Sequence, residues 1–77
     1  MSIYSRTQEI VAHLTGRDGA ALRPDMNLVE DLGVDSLSKC ELAIALERVF
    51  DIRLSDDDAE QIQTFGDAVS MVQRRLA

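Results

Sequence analysis

Asp35-Ser36-Leu37-Ser38-Lys39-Cys40-Glu41-Leu42-Ala43-Ile44-Ala45-Leu46-Glu47-Arg48-Val49-Phe50 is the stretch on which the reading of this chain turns. It predicts a helix from about Ser36 to Phe50, with Asp35 or Ser36 as its N-cap. At about 100° per residue, Leu42, Ala43, Leu46, Val49 and Phe50 gather on one side and form the expected core face. Leu37, Cys40 and Ile44, spaced i, i+3 and i+7, fall on nearly the opposite side. A small bundle buries one stripe per helix easily and a second only with difficulty. Glu41 and Glu47 flank this second stripe and Arg48 lies close to it. An apolar strip edged by carboxylates has the make-up of a transient docking surface. The competing reading is that the strip packs under the loop before the helix, and each reading can hold for part of it.

Outward from this helix, helical spacing dominates. Ile3, Thr7, Ile10, Val11 and Leu14 mark one face of a first helix, and Gly16 stands where it would end. The segment from Gly16 to Asp35 mixes Pro24, Asp25, Asn27 and Gly33 with Leu22, Met26, Leu28, Val29 and Leu32. It reads as a long connection whose apolar residues pack on the core. Beyond Asp51, Ser55 caps a short helix through Ile62 whose first turn holds Asp56, Asp57 and Asp58, where the helix dipole favours acids. Thr64 and Asp67 resemble a capping box. They open a last helix with Phe65, Val69, Val72 and Leu76 on one face and Arg74 and Arg75 at its end. No segment alternates with period two for long enough to make a strand. The expected fold is all-α: one domain over residues 1–77, a bundle of three main helices plus a short one, with a long loop between the first two helices.

The chain has 77 residues and a formal charge of -6. Eleven acids and three bases lie between Asp25 and Glu60, a local net of -8, whereas the remainder is net +2. That balance argues against nucleic acid or an anionic membrane surface as the main partner and favours a basic protein surface. One cysteine excludes an internal disulfide and a cysteine-rich zinc site. No run approaches a membrane span, and the N-terminus lacks the apolar core of a secretory signal, so the expectation is a cytoplasmic monomer without stable membrane insertion.

Self-contained catalysis finds little support. A nucleophilic Ser36 needs an activating base held by a third group. The single histidine, His13, lies near the end of the first helix, and the single lysine, Lys39, points toward the core side of the wheel. The acids do not match the calcium-loop pattern, and there is no glycine-rich phosphate loop or His-x-x-x-His pair. No metal site and no catalytic residue are expected.

Glu30-Asp31-Leu32-Gly33-Val34-Asp35-Ser36-Leu37, followed by Glu41-Leu42, Ala45-Leu46-Glu47 and Phe50-Asp51-Ile52, resembles the acyl carrier proteins of the freestanding type. The resemblance extends through Asp56-Asp57-Asp58-Ala59-Glu60-Gln61-Ile62 and Thr64-Phe65, covering roughly the C-terminal two thirds of the chain. It implies a carrier and not an enzyme. A phosphopantetheinyl transferase would move 4'-phosphopantetheine from coenzyme A onto Ser36, with Asp35 and Leu37 helping to present the serine. The phosphodiester would then sit at a helix N-terminus, a favourable place for an anion. Acyl groups would be held as thioesters on the arm. They would be delivered to acyl-transferring and condensing enzymes of fatty-acid biosynthesis or of a dedicated lipid or polyketide pathway. By the same resemblance, Asp35, Leu37, Cys40, Glu41, Ile44, Glu47 and Arg48 would meet those partners. Leu42, Leu46, Phe50, Ala59, Ile62 and Ala68 would shelter the acyl chain.

Departures from the family pattern concern the partners. Lys39, Arg48 and Val49 stand where fatty-acid carriers are usually more acidic or neutral, and Arg48 interrupts the negative edge of the helix. Cys40 replaces an ordinary apolar residue. An aminoacyl or peptidyl carrier uses the same arm and is the nearest alternative. An unmodified acidic adaptor for a basic partner is the alternative of a different class.

Overall fold

The computed structural model describes residues 2–77. Helix α1 runs over Ile3–Thr15, α2 over Ser36–Phe50, α3 over Asp56–Gln61 and α4 over Phe65–Leu76. The expected all-α fold is found, and among the described residues the sole β-type pairing is one isolated antiparallel bridge, Asn27 to Thr64. Two details go beyond the expectation. A 3-10 turn at Gly19–Ala21 breaks the long connection, and the short helix stops at Gln61, with Ile62 as its C-cap.

Each helix begins as its local chemistry dictates. Ser2, Asp35, Ser55 and Thr64 are the N-caps, and each side chain accepts a hydrogen bond from a backbone N–H in the first turn. The capping box of Thr64 and Asp67 is present, and a second joins Ser55 to Asp58. Helix α1 ends on Gly16, whose φ of 72° is left-handed, and α2 ends on Asp51 at φ 53°.

The core is built from all parts of the chain. Val11 of α1, Leu22, Leu28, Leu32 and Val34 of the connection, and Leu42 and Leu46 of α2 are buried together. They meet Ile62 and, from α4, Phe65, Ala68, Val69, Met71 and Val72. Thr7 is buried as well, and its hydroxyl donates to the Ile3 carbonyl one turn earlier at 2.8 Å, so its burial leaves no unmet donor. Tyr4 packs edge-on against Phe65 with ring centroids 5.3 Å apart.

The long connection is stitched to the start of α4. Leu28 N donates to Gln63 O, Phe65 N to Met26 O and Gly66 N to Pro24 O, at 2.9–3.0 Å. A methyl group on Gly66 would lie 2.8 Å from the Pro24 carbonyl oxygen, so only glycine permits this approach. Leu22, Leu28 and Leu32 anchor the connection as expected, but Val29 is 54% exposed.

Two other expected core positions also lie open: Val49 of α2 and Leu76 of α4 are exposed. Both sit in the last turn of their helices. A helical projection gives a side chain's direction but says nothing of whether a neighbour extends to that level of the axis.

Candidate functional site

The connection delivers Ser36 to the surface at a defined place. Asn27 Oδ1 accepts from the N–H groups of Val29 and Glu30, and Asp31 Oδ2 accepts from Asn27 N. Gly33 takes φ +70° with open space where a Cβ would be, so it serves the turn and not a close contact. Val34 is then buried, its N–H donating to Leu28 O at 2.8 Å. That burial fixes where Asp35 caps α2. Asp35 Oδ1 accepts from Ser38 N at 2.8 Å, and this bond, helped by the Ser38 hydroxyl, holds the Asp35 carboxyl below its ordinary range. Ser36, the first residue of α2, is exposed.

A groove of about 420 Å³ opens beside that serine, between α2 and α3, lined by Ser36, Lys39, Cys40, Asp56, Ala59 and Glu60. The Lys39 ammonium reaches across it to the Glu60 carbonyl at 3.5 Å. His13 lies elsewhere, lining a cleft between α1 and α2. Of the two candidates for activating Ser36, His13 is therefore remote from it, whereas Lys39 shares its groove with the ammonium turned to the Glu60 carbonyl.

The other expected site residues divide into three groups. Leu37 and Ile44 are 69% and 51% exposed, and Cys40 and Arg48 are exposed too. The loop does not cover this stripe, which removes the alternative that it is packed away. Glu41 and Glu47, expected to flank the stripe as a pair, are differently engaged. Glu41 faces α1, in the cleft with His13. Glu47 Oε2 accepts from Leu54 N at 3.0 Å, and its backbone carbonyl accepts from Asp51 N and Ile52 N. Glu47 thus holds the α2–α3 connection in place as well as facing outward. Of the six residues expected around an acyl chain, Ala59 lines the groove beside Ser36. Leu42, Leu46, Ile62 and Ala68 lie in the core and Phe50 is half-buried.

A further contact had no sequence signal: Arg75 Nη2 of α4 meets Asp58 Oδ1 of α3 at 2.6 Å. The Asp58 carboxyl, which also accepts from Ser55 N, is pulled down to about 2, chiefly by Arg75. This bridge ties the short helix, which buries no residue fully, to the rest of the bundle.

An exposed primary hydroxyl at the first turn of a capped helix, with an open groove beside it and the one nearby amine engaged by the Glu60 carbonyl, suits a group attached from outside. Residues 5–72 match the family described as "Phosphopantetheine attachment site". The chain is 41% identical over 75 residues to the acyl carrier protein of Solidesulfovibrio magneticus, covering 97% of this chain and 96% of that one. The chain belongs to the acyl carrier protein family. Its fold agrees with solved members. A Mycobacterium tuberculosis structure assigned to the acyl carrier proteins superposes with a TM-score of 0.89 at 32% identity, covering 95% of this chain and 97% of that one. The Enterococcus faecalis acyl carrier protein gives 0.82 at 29% identity, covering 95% and 92%.

Membership makes the chain a carrier and not an enzyme, with 4'-phosphopantetheine as its covalently attached cofactor. Acyl carrier proteins work with a phosphopantetheinyl transferase and with the enzymes of their pathway. The residues present fit the group: the hydroxyl is accessible, α2 offers its positive end to a phosphodiester, and the groove gives the arm a wall to lie along. No helix among the described residues is long and apolar enough to cross a membrane.

Proposed function

We propose that Ser36 is the attachment point and that the whole chain, residues 1–77, acts as a single monomeric carrier domain in the cytoplasm. The observation that carries this reading is the exposed Ser36 hydroxyl at the start of α2, within the Asp35-Ser36-Leu37 frame and inside the span that matches the family. The arm ends in a thiol, on which acyl groups travel as thioesters. Asp35 caps the helix and so holds Ser36 in its presenting position. Leu37, Cys40 and Ile44 offer an uncovered apolar strip to client enzymes, with Glu41, Glu47 and Arg48 setting its charge. The clients are acyl-transferring and condensing enzymes of fatty-acid biosynthesis or of a related dedicated lipid or polyketide pathway. Ala59 is the entrance of the acyl shelter, and Leu42, Leu46, Phe50, Ile62 and Ala68 form its deeper wall once the chain separates α2 from α3.

Co-expression with a broad-specificity phosphopantetheinyl transferase followed by intact-mass measurement tests the attachment. One pantetheinyl adduct is expected on the wild type and none on Ser36→Ala. An unmodified wild type, or an adduct that survives Ser36→Ala, would overturn the assignment.

A further inference from the structure

The flank of α2 away from Ser36 carries a second opening. Ser36 and Ala45 are nine positions apart, which at about 100° per residue places them on opposite sides of the helix. Ala45 faces α1, and between the two helices lies a cleft of about 390 Å³. Its floor is apolar, formed by Ile10 and Leu14 of α1 with Leu42 and Ala45 of α2. Its rim carries one carboxylate from each helix, Glu9 and Glu41, together with the His13 imidazole. The ion pairs among the described residues are Arg23–Asp25 and Arg75–Asp58, so neither rim carboxylate has a cation within 4 Å.

An apolar trough closed by two unpaired carboxylates suits a side chain with an aliphatic shaft and a cationic tip. Such a side chain would place its methylenes along Ile10, Leu14 and Ala45 and its charge between Glu9 and Glu41. The chain's own cargo is a poor fit: an acyl chain ends apolar and would have to cross α2 from Ser36 to enter. We infer that the α1–α2 cleft is a docking socket for a lysine or arginine side chain of a client protein, adjoining the strip around Leu37 and Ile44 and sharing only Glu41 with it. A client that straddles α2 would then engage the socket with one side chain and face Ser36 with its active site. The socket would set orientation as well as affinity. This rests on the reading of the chain as a carrier that docks on basic client enzymes.

The test is an NMR titration of the full chain, following backbone amides and methyl groups. The probe is n-butylammonium chloride, which has the shape of a lysine side chain, and ammonium chloride at the same concentration is the control. Saturable shifts are expected at Glu9, Ile10, Leu14, Glu41 and Ala45 with the butyl probe alone. The Glu9→Gln/Glu41→Gln variant is expected to weaken that binding roughly threefold or more, the scale of exposed ion pairs, without moving the thermal midpoint. Equal shifts with ammonium, strongest shifts at carboxylates elsewhere such as Asp56 and Asp57, or unchanged binding by the double variant would each overturn the socket. The same titration on Ser36→Ala should match the wild type, so a failure here is distinct from a failure of the Ser36 assignment.

Discussion

Helices α2 and α4 are of similar length, yet they spend their apolar residues differently. In α4, Phe65, Ala68, Val69, Met71 and Val72 are all buried, and the polar face carries Ser70, Gln73, Arg74 and Arg75. In α2 only Leu42 and Leu46 are fully buried, while Leu37, Ile44 and Val49 lie open to solvent. One helix is devoted to the fold. The other leaves Leu37, Ile44 and Val49 uncovered, and the bundle tolerates this because the connection between α1 and α2 supplies Leu22, Leu28, Leu32 and Val34 to the core in compensation.

The largest effect should come from α4. Phe65→Ala removes a fully buried ring and its edge contact with Tyr4, and should cost about 3–5 kcal/mol in urea unfolding, enough to threaten a domain this small. An effect below that of a surface substitution would break the contrast. Glu47 sharpens it, since it sits on the outer side of α2 yet serves the fold. Glu47→Ala leaves Leu54 N without its acceptor and should cost about 1–3 kcal/mol, with Glu47→Gln, which keeps an acceptor, costing less. Equal unfolding midpoints for the two variants would show that the bond contributes nothing.

The Arg75–Asp58 contact gives a smaller, pH-dependent effect. The folded-state value of Asp58, about 2, lies below the ordinary 3.8 expected of the unfolded chain. Its contribution to stability is therefore complete above about pH 4 and disappears as pH falls toward 2. Arg75→Gln should move the Asp58 titration upward toward the ordinary value, measurable by carboxyl ¹³C NMR, and should erase the excess stability of the wild type in that window. A titration unmoved by Arg75→Gln would assign the shift to the Ser55 cap instead. The smallest stability change belongs to the exposed strip. Ile44→Asp should alter stability by no more than about 0.5 kcal/mol. It should nevertheless slow modification by the phosphopantetheinyl transferase about tenfold, since the strip is proposed as the docking contact. Normal modification of a folded Ile44→Asp chain would remove the strip from the docking surface.

Much of this was legible in the residues. Cap signals are local, so Asp35, Ser55, Thr64 and Gly16 marked helix ends correctly from side chains within three or four positions of the backbone groups they satisfy or from a backbone angle that glycine favours. The two-sided pattern of α2 singles out Leu37 and Ile44 from the residues alone, because projection angle depends only on the helix. What stayed hidden were contacts between elements distant in the chain. Nothing near Arg75 announces Asp58, seventeen positions earlier. Nothing near Glu41 announces Glu9 on a helix that precedes a long connection.

The residues by themselves determined four helices, most of their caps, a serine frame at a helix start and a family, all of which depend on short-range backbone chemistry and on motif spacing. Tertiary structure decided which side of α2 is covered, that Glu47 fastens a loop while Glu41 faces α1, and that a second cleft lies opposite Ser36. Those outcomes depend on which helix packs against which. That is set by the summed burial of the whole core, and no single segment carries it.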